Sequence, residues 1–200
     1  YSQPARFELG LLSPAEWKCQ WIGGANQLRT EFQLPEAVTR ARAYICGLAY
    51  YELRINGSKV GYNVLDPGWT TYDQRVLYTT YDVTPYLQRG PNAVGVMLGE
   101  GWYKSRALLM QMNIELAGGK QLSITSSPSW KAKDGPITSD SVWDGEIYDA
   151  TKETPGWDLP GFSDSGWAAA QTVKSPGGVL SAQMMPPIRV VDTVVPVAVT

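Results

Sequence analysis

The chain has 200 residues, 44% of them hydrophobic, and a formal net charge of −2, so a core can form and no basic surface for nucleic acid is expected. It contains no histidine, which removes Ser-His-Asp and Cys-His catalysis and any histidine-containing metal site from these residues. No apolar run reaches the roughly 18 residues a membrane-spanning helix needs. The start, YSQPARFELG, lacks the charged and apolar regions of a signal peptide and reads as a cut inside a longer protein.

Residues 13–17, SPAEW, place Ser13 as an N-cap and Pro14 at the first helical position, the start of a short helix. Trp17 and Trp21 lie beside apolar runs and are expected to pack at the core or its edge. Cys19 and Cys46 sit in the strand-like stretches CQWIG and RAYICGL, where two buried thiols or a disulfide would both fit. TRARAYICGLA (39–49) alternates small or apolar residues with charged ones at period two, the pattern of a half-buried strand. YYELRINGSKVG (50–61) reads as a hairpin turning at Asn56-Gly57. The glycosylation sequon Asn56-Gly57-Ser58 falls on that tip.

NVLDPGWTTYDQRVLY (63–78) gathers two carboxylates, a proline–glycine turn and three aromatics. Pro67 presets φ and Gly68 permits a positive φ, so Asp66-Pro67-Gly68 predicts a type II turn. Asp73 lies close enough to Arg75 for a local ion pair, and Trp69 and Tyr72 lead into the next strand, with Trp69 packed. The loop is read as stitched by its own hydrogen bonds. The alternative is a sugar-facing loop, with aromatic faces against pyranose C–H groups and Asp or Asn accepting from hydroxyls.

TPYLQRG (84–90) has Thr84 as cap, Pro85 next and Gly90 as stop, predicting one or two helical turns. The glycine-rich GEGWYKS follows a strand and presents Trp102 at the surface. LMQMNIEL-AGG-KQLSITS (109–126) is a second hairpin. SVWDGEIYDA (141–150) reads as a strand with Asp144 and Glu146 on one face, about 6–7 Å apart, a spacing near that of inverting glycosidases. Acids spaced in this way are common on solvated faces, however, and a catalytic pair normally straddles a cleft. Asp149 is placed to anchor the turn that follows through backbone amides. Trp157 and Trp167 lie in a loop-rich stretch as further surface candidates.

Many short strands without alternating helical segments predict an all-β fold, an antiparallel β-sandwich with one or two short helices. The expected organisation is a strap at 1–16, one domain at 17–185, and a linker at 186–200. Strand pairing should restart there after Pro186-Pro187.

Several segments together carry a family likeness. They are PARFELGLL (4–12), WKCQWIG (17–23), ARAYICGLAYYELRINGSKVG (41–61), LDPGWTTYDQRVLYTTYDVTPYL (65–87), GPNAVGVMLGEGWY (90–103), SWKA (129–132), DGEIYDA (144–150), GWDLPGFSDSGW (156–167) and PPIRVVDTVVP (186–196). In order and spacing they resemble the N-terminal jelly-roll, galactose-binding-like domain of bacterial and fungal α-L-rhamnosidases of glycoside hydrolase family 78. The resemblance implies a parent enzyme that removes terminal α-L-rhamnose from plant glycosides or polysaccharides with inversion. Its acid and base would lie in a downstream (α/α)6 barrel, so no catalytic residue is expected in this chain. The strap would be the end of a preceding immunoglobulin-like domain, and 186–200 would enter a following β-domain.

The implied partners are a rhamnoside and other domains of the same polypeptide, with no nucleic acid and no membrane. In some members the domain is a calcium-dependent rhamnose-binding module, with an Asp-Asn pair after the first hairpin and a long loop after Gly-Trp-Tyr. Here the pair reads Tyr62-Asn63 and KSRALLM follows Tyr103 directly, so no cofactor is expected; calcium is the one metal the resemblance raises. Asn63, Trp102 and Lys104 are the sugar contacts it implies, all near one edge. A rhamnose-binding carbohydrate module is the alternative to a structural or substrate-orienting role.

Overall fold

Period-two burial and glycine-centred turns give short strands that reverse on themselves, and the computed structural model, which describes residues 7–103 and 105–198, is a β-sandwich built from them. In chain order the strands are β1 (Ile22–Gly23), β2 (Gln27–Leu34), β3 (Val38–Leu48), β4 (Tyr50–Ile55), β5 (Ser58–Lys59), β6 (Arg75–Asp82), β7 (Gly90–Gly99) and β8 (Ala107–Leu116). They continue with β9 (Gln121–Thr125), β10 (Lys131–Lys133), β11 (Ile137–Ser141), β12 (Gly145–Tyr148), β13 (Ala168–Ala169), β14 (Gln171–Thr172) and β15 (Val179–Ala182). One sheet runs β14-β1-β8-β3-β6-β15, with β9 also on β8. The other runs β13-β10-β2-β7-β4-β5, and β11 pairs only with β12 as a separate two-stranded hairpin. All pairings are antiparallel except β15 on β6, where Val179 to Ala182 run parallel beside Arg75 to Tyr78.

The core lies between the sheets. Leu28 on β2, Leu53 and Ile55 on β4 and Val94, Val96 and Leu98 on β7 meet Ala43 and Ile45 on β3 and Leu108, Met110 and Met112 on β8, all buried. These are alternate positions on each strand, as the pleat requires. The alternation expected of β3 fails beyond Ala43, because its other face is covered too. Tyr44, Cys46 and Leu48 form a second buried cluster with Tyr72, Val76 and Tyr78, packed against Leu11, Trp17 and Trp21. Trp17 meets Tyr78 edge-on at 5.0 Å between ring centroids. The strap is held by charge as well: Glu8 pairs with both Arg40 and Arg42. Those guanidiniums, Arg42 foremost, hold the Glu8 carboxyl down at about 2.

Both cysteines are free thiols, Cys46 fully buried and Cys19 partly so. Burial pushes Cys19 up to about 11 and Cys46 higher still.

The expected helices are single 3-10 turns. At Pro14–Glu16, the Glu16 carboxylate accepts from the Ser13 and Leu12 amides at 2.8 and 2.6 Å. The second spans Thr84–Tyr86 with Val83, not Thr84, in the cap position. The Thr84 hydroxyl is taken by the Ala41 amide at 2.9 Å, and Gly90, at φ +94°, opens β7 and stops no helix. A third turn, Ala150–Lys152, is capped by Asp149, whose carboxylate accepts from the Thr151 amide at 3.0 Å as expected. No helix among the described residues is long and apolar enough to cross a membrane.

The Asn56-Gly57 hairpin forms with both residues at positive φ (50° and 83°). Asn56 is nonetheless not a free tip, since its amide nitrogen donates to Tyr86 O and Asn92 Oδ1 and its oxygen accepts from the Ala93 amide. A glycan on that nitrogen would replace one of its two hydrogens and so remove one of the two donor bonds.

On the side of β2 away from the core, Arg29, which is 1% exposed, pins the 157–164 segment. Its Nε donates to the Trp157 carbonyl at 2.8 Å and Nη2 to that of Leu159 at 3.2 Å. It pairs with Glu31 and Asp164 and lies 5.2 Å from the Phe162 ring centre. Trp157 and Trp167, the surface candidates of this loop, are therefore buried, stacked 6.1 Å apart.

The chain exit departs from the restarted strand. Residues 186–198 pair only through a bridge between Arg189 and Asn63, with the Val64 amide donating to the Ile188 carbonyl at 3.0 Å.

Candidate functional site

A groove of about 500 Å³ opens beside β4, between the 62–65 loop and the β11–β12 hairpin. Tyr50, Tyr51, Met97 and Leu98 give its apolar floor, and Glu52, Lys59, Asn63, Asp140 and Glu146 supply polar groups. The hairpin has no ladder to either main sheet, so side chains hold it. The main brace is Asp140, whose carboxylate accepts from the Glu100 and Gly101 amides and from Arg106 Nη2 at 3.0 Å. Gly101, at φ +49°, packs so closely on Ala49 and Tyr50 that an added Cβ would lie 2.6 Å from the Ala49 Cβ. Close packing and the carboxylate clamp together set the direction in which Trp102 leaves the strand.

Trp102 is 42% exposed, as the glycine-rich loop suggested, but it is not alone. It stacks on Trp69 at 5.6 Å and meets Trp143 edge-on at 4.7 Å. Trp69 and Trp143 are 59% and 77% exposed, so three segments far apart in sequence build one aromatic surface beside the groove. Trp69 thus departs from the packed position expected of it. Trp143 escapes notice when SVWDGEIYDA is taken as a single strand. The Asp144-Gly145 pair is a hairpin signal that would have exposed it.

The same turn separates the two acids that a continuous strand would have aligned. Asp144 lies in the turn and accepts from the Ser141 hydroxyl at 3.0 Å, while Glu146 stands on β12 and lines the groove. They are not a pair on one strand face.

Asn63 reaches the groove wall, with its amide nitrogen directed to Asp66 at 2.5 Å and to the Tyr81 hydroxyl at 3.4 Å. Asp66 is buried at 3% exposure and also accepts from Tyr81 at 2.9 Å, with longer contacts to Thr79 and Gln183. The Tyr51 hydroxyl in turn donates to that of Tyr81, and burial raises both phenols. These inward pulls replace the type II turn: Gly68 does not take a positive φ, the Asp66–Pro67 peptide is cis, and Leu65 (φ 55°) carries the left-handed conformation. The expected Asp73–Arg75 pair is absent among the described residues. The Gln74 and Arg75 amides both go to the Thr71 carbonyl at 2.9 Å and leave the two charges in solvent. Lys104, the third expected sugar contact, lies outside the described residues.

The profile of the α-L-rhamnosidase N-terminal domain matches residues 36–192. The chain belongs to that family. The domain is 46% identical over 161 residues to an α-L-rhamnosidase of Streptomyces avermitilis, covering 74% of this chain and 16% of that protein. It is 33% identical to an α-L-rhamnosidase of Alteromonas sp., covering 99% of this chain and 25% of the relative. The structure of an α-L-rhamnosidase from Dictyoglumus thermophilum superposes with a TM-score of 0.87 at 40% identity, over 92% of this domain and 24% of that chain. This rhamnosidase N-terminal domain thus spans about a sixth to a quarter of the length of the proteins it matches. The match agrees with the resemblance carried by the segments from ARAYICGLAYYELRINGSKVG onward.

Proposed function

We propose that this domain is a non-catalytic module of an α-L-rhamnosidase, with a structural or substrate-orienting role. In this reading hydrolysis of terminal α-L-rhamnose, with inversion, is performed by acids elsewhere in the polypeptide. The observation that carries it is the state of the carboxylates around the groove. Asp66 is enclosed by donors, Asp140 is spent on backbone amides and Arg106, and Glu52 is paired with Arg54 and Lys59. Among the described residues Glu146 has no ion-pair partner, but the other carboxylates around the groove are engaged in the contacts just named, so none is left free to act with it as the second acid that glycoside hydrolysis requires. Residues 17–185 form the body of the module in this reading, with 1–16 and 186–200 as its connections.

Metal enters no step of this reading. Calcium needs six or more oxygens with charge among them. The amide nitrogen of Asn63 is directed to the Asp66 carboxylate, Tyr62 points outward at 87% exposure, and no cluster of three acids or thiols that could hold a metal occurs among the described residues, so the residues present do not fit that ion. Sugar binding by the domain itself, the second reading, is favoured by the exposed tryptophan surface.

The test is reconstitution. The module and the remainder of its polypeptide, produced as two chains, should hydrolyse an aryl α-L-rhamnoside only when the remainder is present. The module should raise the yield of folded, active remainder or lower its KM. A remainder that works equally well without the module would remove the structural and orienting role.

A further inference from the structure

The exposed tryptophan surface does not end at the groove. The Met185 side chain packs on Gly68, the neighbour of Trp69, so closely that an added Cβ would lie 2.6 Å from its sulfur. Gln183 Oε1 accepts from the Gly68 amide at 2.7 Å, and the Ile188 carbonyl accepts from the Val64 amide at 3.0 Å. The outgoing chain, 183–189, is therefore fastened along the 63–68 loop, beside the three indoles. It carries apolar side chains of its own into solvent: Met184 is 93% exposed, and Met185 and Ile188 are more than half exposed. The runs 62–69 and 184–191 hold two formal charges, Asp66, which is buried, and Arg189, which is exposed. Tryptophan, methionine and arginine with few other charges is the composition of the core of a protein–protein contact. Apolar surface of this kind on a folded domain marks an interaction site. A pyranose site sets hydrogen-bonding groups around its aromatic faces, whereas the side chains of Met184, Met185 and Ile188 offer no strong donor or acceptor.

We propose that the Trp69–Trp102–Trp143 corner and the 184–188 stretch form one docking face, covered by a following domain of the same polypeptide. The partner rests on the reading of this domain as a module of a longer rhamnosidase, since it spans only 16% and 25% of two such relatives; the face itself comes from the geometry. The path of the chain chooses this occupant over a free one. Residues 190–198 make no strand pairing and reach at most about 30 Å, so a domain joined through them stays close to the face from which they leave. A tether of that length holds its cargo at an effective concentration on the order of millimolar, above that of a second copy or a separate protein. The covering surface is apolar, with a carboxylate or carbonyl oxygens set against the Arg189 guanidinium.

The experiment is hydroxyl-radical footprinting of the full-length polypeptide, read by mass spectrometry against the peptides of its own digest. Trp69, Trp143 and Met184 should oxidise at least about fivefold more slowly than in the free peptides. Tyr148, half exposed on the same hairpin as Trp143, should be slowed less than about threefold. In full-length Trp143→Asp, oxidation of Trp69 and Met184 should rise at least about threefold. The buried Cys46 should stay unreactive toward a thiol reagent, which separates loss of docking from loss of fold. Near-peptide rates at Trp69, Trp143 and Met184, or unchanged protection in Trp143→Asp, overturn the proposal. So does protection that fades on dilution, which would name a second copy, or that appears only with an added oligosaccharide, which would name a sugar. An uncovered face would leave the dependence of hydrolysis on the remainder of the polypeptide as it was, so the module reading and this proposal fail separately.

Discussion

Replacing Asp66 by alanine is the perturbation that most sharply probes how the groove is held. The carboxylate is buried and receives two short hydrogen bonds, from Asn63 at 2.5 Å and Tyr81 at 2.9 Å, plus two at 3.4 Å that lie at the limit of useful geometry. Hydrogen bonds to a charged group contribute about 1.5–3 kcal/mol each, so the two short ones sum to about 3–6 kcal/mol. Desolvation of the carboxylate offsets part of this, since a buried charge without a cationic partner costs several kcal/mol. The remainder, with two donors left unpaired in Asp66→Ala, is a destabilisation of about 3 kcal/mol. Urea unfolding followed by tryptophan fluorescence should show it as a lower midpoint at unchanged slope. Tyr81→Phe, which removes one of the two short bonds, should cost about 1–2 kcal/mol, and the double variant should fall short of the sum by about 1 kcal/mol or more. A loss below about 1 kcal/mol in Asp66→Ala would refute the idea that this buried acid organises the loop.

The other predictions concern distant regions. Arg29→Ala should cost about 3 kcal/mol, the low end for breaking a buried pair, because Glu31 and Asp164 are about a third exposed and can rehydrate; faster proteolysis within 157–164 would accompany it, and an unchanged cleavage rate would contradict it. Glu8, held down from 4.5 to about 2, stabilises the docked strap fully above its ordinary value and ceases to do so as pH falls through about 2. An NMR titration should place its midpoint near 2, with strap resonances moving in the same window, whereas a midpoint near 4.5 would mean the strap is free. Cys46 should resist an aromatic disulfide reagent at neutral pH in the native state and react once the chain is unfolded, since burial keeps its thiol protonated; prompt native-state reaction would contradict its position in the second core cluster.

Local chemistry made much of the fold legible. Asn56-Gly57 and the Gly118-Gly119 turn announce their hairpins because positive φ is cheap at those residues, and the lack of helical periodicity excludes a parallel fold. What is not legible depends on residues remote in sequence. The second face of β3 is buried because Leu11 and Trp17 return to cover it, and nothing within 39–49 records that. Asp66 looks like a turn former because its sequence neighbours are proline and glycine, while its partners Tyr81 and Gln183 lie 15 and 117 positions away. Trp69 has the same local surroundings as a packed tryptophan; only Trp102 and Trp143 place it in a surface corner. Of the expected contacts, Asn63 lines the groove and Trp102 stands beside it because they flank β4 and β7, which are adjacent strands, a neighbourhood the resemblance implied and composition did not.

The most direct measurement of the central claim is the release of nitrophenolate from 4-nitrophenyl α-L-rhamnopyranoside by the purified 200-residue chain. The account predicts a rate indistinguishable from the uncatalysed reaction, because no groove carboxylate is both free and opposed by a second. Turnover above that background, abolished by Glu146→Gln, would place the bond-breaking chemistry in this domain and contradict the account.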